Sequence, residues 1–81
     1  MRNQADKQSI VEEILSRCPG PVISRRQAAI VSGGMINERS LANIDSDKTK
    51  QGPVERIRVG RRVGYTSRSF AEWLAARIEA K

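Results

Sequence analysis

Short apolar clusters alternate with polar punctuation along this chain, and the spacing inside each cluster predicts a different element. Ile10, Val11, Ile14 and Leu15 recur at intervals of three and four, the period of one helix face. Ser9-Ile10-Val11-Glu12 has the S-x-x-E form in which the serine accepts from one orphan helix amide and the glutamate reaches back to another. Pro19-Gly20-Pro21 ends the segment, because proline lacks an amide hydrogen and drives its predecessor out of helical angles. A first helix over residues 9–17, in a packing role, is the expectation.

Ser24-Arg25-Arg26-Gln27 repeats the cap as S-x-x-Q and opens a second helix through Ala28, Ala29, Ile30 and Val31. Its small residues let another helix approach. Ser32-Gly33-Gly34 stops it, since glycine takes left-handed angles at little cost. After Met35 and Ile36, Asn37 is a suitable N-cap for a third helix, residues 37–45, with Leu41 and Ile44 inward and Arg39, Ser40 and Asn43 outward. The polar run DSDKTKQGP, which carries Lys48 and Lys50, reads as a solvated loop from Asp45 to Pro53.

The period then switches to two. In VERIRVGRRVGY, residues 54–65, alternation sets Ile57 and Val59 on one strand face and Arg56 and Arg58 on the other. Opposing residues of an antiparallel pair point the same way, so pairing Val59 with Val63 and Ile57 with Tyr65 keeps one face apolar. That register leaves Gly60-Arg61-Arg62 as the tip, with the turn type open; a two-residue Gly-Arg turn would set Val59 against Arg62. The closing segment SRSFAEWLAARIEAK is an amphipathic helix with Phe70, Trp73, Leu74 and Ile78 as its stripe, capped by Thr66, Ser67 or Ser69.

At 81 residues, the chain is expected to form one domain, with 1–23 as an N-terminal tail and extra helix and 24–81 as the core. No apolar run approaches the roughly 20 residues needed to cross a bilayer, and MRNQADKQS lacks the apolar stretch of a signal peptide. A cytoplasmic location without membrane contact follows as the expectation, and the lone Cys18 suits a reducing compartment. One cysteine and no histidine remove the usual zinc sites and the Ser–His and Cys–His nucleophile pairs. No enzyme, metal, cofactor or small-molecule substrate is therefore expected.

Charge points elsewhere. The net charge is +6, and residues 1–23 contribute nothing to it: three basic side chains there balance three acidic ones. The excess, twelve basic against six acidic, lies in residues 24–81 and favours a polyanionic partner. With one Phe, one Trp and one Tyr, all at inward positions, base stacking on single strands is disfavoured. Duplex DNA suits the pattern better. Two helices joined by a glycine turn describe a helix-turn-helix, whose second helix enters the major groove. Asn37, Arg39, Ser40 and Asn43 supply the donors and acceptors such a helix needs, because arginine forks onto guanine and asparagine onto adenine. The basic hairpin would be a wing: Arg61 and Arg62 at its tip on a phosphate chain or in the minor groove, and Arg56 and Arg58 on its solvent face. Arg25, Arg26, Lys48 and Lys50 complete the candidate DNA-binding set.

From Ser24 to Ile78 this order resembles the small winged helix-turn-helix domains of the MerR superfamily, in particular phage excisionases and AlpA-type regulators. The resemblance rests on SRRQAA, Gly33, Arg39-Ser40-Leu41, Pro53, Gly60-Arg61-Arg62-Val63-Gly64-Tyr65 and Trp73-Leu74. GGMINERSL is longer than the family's usual turn, Ile44 stands where an aromatic residue is common, and the first helix lies outside the shared core. The resemblance implies an α+β, mainly α, winged helix-turn-helix fold with an extra N-terminal helix. It further implies sequence-specific double-stranded DNA binding by an excisionase (a recombination directionality factor) or a small transcriptional regulator of a phage or other mobile element. Partners would be duplex DNA together with an integrase, or copies of the chain side by side. The DNA-recognition domain of a phage terminase small subunit is an alternative, as is a protein-binding adaptor or anti-repressor whose basic face meets an acidic partner.

Overall fold

Seven elements follow one another in the computed structural model, which describes residues 3–78: α1 (Asn3–Arg17), β1 (Val22–Ser24), α2 (Arg25–Val31), α3 (Glu38–Ser46), β2 (Arg56–Val59), β3 (Arg62–Thr66) and α4 (Ser67–Arg77). The fold is α+β, with one antiparallel sheet in the order β1-β3-β2. Among the described residues, no helix is long and apolar enough to cross a membrane.

Local chemistry sets the helix pair. Ser24 has extended backbone angles, its Oγ accepts from the Gln27 amide at 3.1 Å, and its own amide donates to Gln27 Oε1 at 3.0 Å, so the predicted capping box closes. At the other end of α2 the Gly33 amide donates to Ile30 at 2.9 Å and the Gly34 amide to Ala29 at 3.2 Å. Together with φ of +73° at Gly33, these bonds form a Schellman stop. Asn37 then caps α3, its Oδ1 accepting from the Ser40 amide at 2.7 Å. Ala28 and Leu41, both fully buried, lie where the two helices meet the core.

The helix before them is longer than predicted. It begins at Asn3, which places Ser9 inside the helix rather than at its cap. Nothing in QADKQ breaks a helix, and these residues are mostly good helix formers, so the turn continues past the serine. Nor is α1 a loose addition: Val11 and Ile14 are buried in the same cluster as Ile23, Ala28, Leu41, Tyr65, Phe70, Ala71 and Ala75. Residue 23, where the tail was expected to end, lies within β1, a strand too short to show in the sequence pattern.

Pairing in the hairpin corrects the predicted register by one residue. Val59 opposes Arg62, Arg58 opposes Val63, Ile57 opposes Gly64 and Arg56 opposes Tyr65. Turn chemistry overrides apolar alternation. Gly60 adopts φ of +63° as the first residue of a two-residue Gly60-Arg61 turn, the placement a type II′ hairpin turn requires. As a result Arg56 and Arg58, both still exposed, share a face with Val63 and the buried Tyr65 instead of lying opposite them, while Val59 on the other side is 72% exposed.

Two further contacts fix the sheet. Gly64 lies so close to β1 that a Cβ there would strike the Ile23 carbonyl. Thr66 caps α4 by accepting from the Ser69 amide at 3.2 Å, which selects one of the three predicted caps. The inward face of α4 is Phe70, Ala71 and Ala75, with Trp73 and Leu74 half-buried; Ile78, predicted on the stripe, falls beyond the helix end and is exposed.

Candidate functional site

A groove separates α3 from the hairpin. Ala42, Asn43 and Ser46 form its helical wall, Arg56, Arg58 and Val63 the opposite one. The corrected register creates this arrangement, since it turns the two β2 arginines toward α3 instead of away from it.

Asp45 sits between the walls with its side chain only 6% exposed. Its Oδ2 accepts from Arg25 Nη2 at 2.7 Å, from Arg25 Nε at 3.2 Å and from the Tyr65 hydroxyl at 2.8 Å. Arg56 Nη1 lies 3.7 Å from Oδ1 and donates to the Asp45 carbonyl at 3.1 Å. Four elements, α2, α3, β2 and β3, thus meet at one carboxylate. Burial works against the Arg25 guanidinium, but hydrogen bonds to Asp45 and Tyr65 outweigh it and hold its pKa above the ordinary arginine value. Burial pushes the Tyr65 phenol up to about 12.

This cluster changes the standing of one predicted site residue, Arg25, and of Asp45, which the sequence pattern did not single out for the site. Arg25 is committed to Asp45 and Tyr65 and serves to join α2 to α3 rather than to face solvent. Asp45, predicted to begin a solvated loop, belongs to α3 and is its buried anchor. It falls four residues after Leu41, on the inward side of the helix. A carboxylate on an apolar stripe needs a buried partner, and that signal was present in the sequence.

The remaining candidates divide by position. Arg39 and Asn43, four apart and exposed, share the outer crest of α3. Asn37 is exposed, but its Oδ1 is occupied by the helix cap; Ser40 is half-buried. Arg61 is exposed in the hairpin turn, while Arg62, predicted in the tip, opens β3 opposite Val59 and is exposed on the sheet face away from Arg56 and Arg58. Arg26 is exposed on the first turn of α2, and Lys48 and Lys50 on the loop after α3. Of the twelve, Arg25, Asn43, Arg56 and Arg58 meet in the groove against the hairpin. Ser40, Asn43 and Lys50 line a second groove on the other flank of α3, where Arg77, which the sequence reading did not select, joins them.

The loop leading to β2 is held by short contacts. Asp47 Oδ1 accepts from the Thr49 hydroxyl at 2.7 Å and the Thr49 amide at 2.9 Å, bonds that lower its carboxyl below the usual range. The Trp73 indole donates to the Gln51 carbonyl at 2.8 Å, Pro53 is buried, and the Glu55 amide donates to Ser69 Oγ at 2.8 Å. Among the described residues, no three or more Cys, Asp or Glu side chains converge in a way that could hold a metal ion.

No family model, curated protein or solved structure matches this chain.

Proposed function

We propose that the chain is a sequence-specific double-stranded DNA-binding protein with a winged helix-turn-helix, acting as an excisionase or a small transcriptional regulator of a mobile element. In this reading α2 and α3 are the helix-turn-helix, the β2–β3 hairpin is the wing, and α3 enters the major groove crest first. Arg39 and Asn43 reach base edges. Arg58, Arg61 and Arg62 meet the adjacent phosphate chain or the minor groove, where arginine is drawn by concentrated negative potential.

The observation that carries the reading is the shared groove, with Asn43 and Ser46 on one wall and Arg56 and Arg58 on the other. A helix crest and a basic ribbon that bound one concavity can grip one duplex together. The +6 charge, all of it contributed by residues 24–81, supports the same partner. Arg25 has no reading role in this scheme; with Asp45 and Tyr65 it sets the angle between helix and wing.

A mobility-shift assay with duplex from the flanks of the chain's own gene, in excess unrelated duplex, tests the reading. A band that survives the competitor is expected. Loss of all shift to equal amounts of unrelated duplex would remove sequence specificity, and absence of any shift would remove DNA binding. An integrase gene beside this one would favour the excisionase over the regulator.

A further inference from the structure

The outer crest of α3 is flanked on both sides. Helical spacing puts Arg39 and Asn43 on the crest, Ala42 and Ser46 on the flank toward the hairpin, and Ser40 and Ile44 on the opposite flank. Across that opposite flank a second groove is closed by Lys50 and Gln51 of the loop and by Arg77 in the last turn of α4. Cations therefore stand on both sides of the same helix: Arg56 and Arg58 across one groove, Lys50 and Arg77 across the other.

A single side chain organises the second wall. The Trp73 indole N–H donates to the Gln51 carbonyl at 2.8 Å, fixing the chain next to Lys50. The face of the same ring carries the Arg77 guanidinium, 4.9 Å from its centroid. Lys50 is held besides through its amide, which donates to the Asp47 carbonyl at 3.0 Å. A cation lying on an aromatic face keeps its full charge and loses rotamer freedom in advance, so less entropy remains to be lost when an anion arrives.

The two walls match a property of duplex DNA. A major groove about 12 Å wide takes one helix and is bordered by a phosphodiester chain on each side. A helix seated crest first presents its two flanks to those two chains. Resting on the DNA-binding reading above, we infer that Lys50 and Arg77 form a second phosphate-binding wall, contacting the strand opposite the one met by the hairpin, with Trp73 as their positioning residue. Arg77 is then a DNA contact supplied by the C-terminal helix.

Binding of a random-sequence duplex, followed by anisotropy across a salt series, tests this. Lys50→Met with Arg77→Met keeps both aliphatic stems and removes both charges. The expected result is a salt slope smaller by about two. Arg17→Met with Arg68→Met is the charge-matched control, since those side chains pair with Glu13 and Glu72 and line neither groove; it should leave the slope near that of the parent chain. Lys50→Gln alone, at an exposed loop position, should lower the slope by about one and does not depend on packing against Trp73. If the Lys50/Arg77 variant matches the control while the parent chain binds duplex, the second wall is refuted and the DNA-binding reading stands. If the parent chain binds no duplex, both fall.

Discussion

Arg25 Nη2 lies 2.7 Å from Asp45 Oδ2, joining the first residue of α2 to the last turn of α3 through a carboxylate that solvent scarcely reaches. Neither the glycine turn nor the Ala28–Leu41 contact region alone would fix how the two helices cross. The ion pair does so, and because Tyr65 and Arg56 reach the same carboxylate, the hairpin is oriented with them.

Asp45→Ala removes the shared anionic acceptor and leaves the guanidinium and the phenol in a mostly buried place with only the long Arg25 Nε–Tyr65 hydroxyl hydrogen bond, 3.4 Å, between them. The expected loss is about 3 kcal/mol, the lower end for breaking a buried pair, because Arg25 is a quarter exposed. Arg25→Met should cost about 1.5–3 kcal/mol. The two should not add. A double-mutant cycle by urea denaturation should return a coupling of at least about 1 kcal/mol. Additive losses would mean that the pair is incidental to stability.

Gly64 and Gly60 differ in why they must be glycine, and substitution separates the reasons. A Cβ at Gly64 would collide with the Ile23 backbone, which cannot swing away, so Gly64→Ala should destabilise by about 3 kcal/mol, at the upper end of overpacking costs. Gly60 has open space around it, and only its φ of +63° resists a side chain. Gly60→Ala should cost roughly 1–2 kcal/mol and loosen the hairpin end rather than the core. Thermal melts compare the totals. Amide exchange locates the damage: across β1 and β3 for Gly64→Ala, at residues 59–62 for Gly60→Ala.

What the sequence made legible was local. Ser24 with Gln27, Gly33, Asn37 and Thr66 each act through groups within a few residues of themselves, and such chemistry can be read without a fold. The α2–α3 pair and the existence of the hairpin followed from it. Choices between distant groups were less visible. The register of Ile57 and Val59 was predicted from apolar alternation, but Gly60 prefers a two-residue turn, and Arg56 gains Asp45 by the shift. Three residues of β1 show no period, and its pairing depends on Gly64 admitting the Ile23 backbone. Within the candidate site the crest residues Arg39 and Asn43 were legible from helical spacing. Arg77 was not, because only the folded chain brings the end of α4 beside Lys50.

Tyr65 is the sole tyrosine, so its ionisation can be followed by ultraviolet absorbance without interference from another phenol. In the folded chain burial raises its pKa to about 12, against about 10 when unfolded. The folded state holds this proton more tightly. Its contribution to stability is therefore complete below pH about 10 and is lost as pH rises from there through about 12. Absorbance of the native protein should titrate near the upper value and that of the urea-unfolded chain near the lower. Tyr65→Phe should flatten the fall in stability across that window. A native phenol titrating near 10 would show that the hydroxyl is open to water and would dissolve the cluster around Asp45.

The proposed DNA contacts separate by what they should do to affinity and to choice of site. Arg61 and Arg62 lie at the hairpin end, where no base edge is required to hold them, so Arg61→Ala with Arg62→Ala should weaken binding to every duplex alike and reduce the salt slope by up to about two. Arg39 stands on the crest of α3. If it forks onto a guanine, Arg39→Ala should cost on the order of 1–3 kcal/mol on the preferred site and far less on random sequence. Anisotropy titrations of both variants on a selected and a random duplex give the comparison. An unchanged affinity in the hairpin variant would take the wing off the DNA. Equal losses on the two duplexes for Arg39→Ala would make that side chain a phosphate contact and leave Asn43 as the candidate reader on the crest.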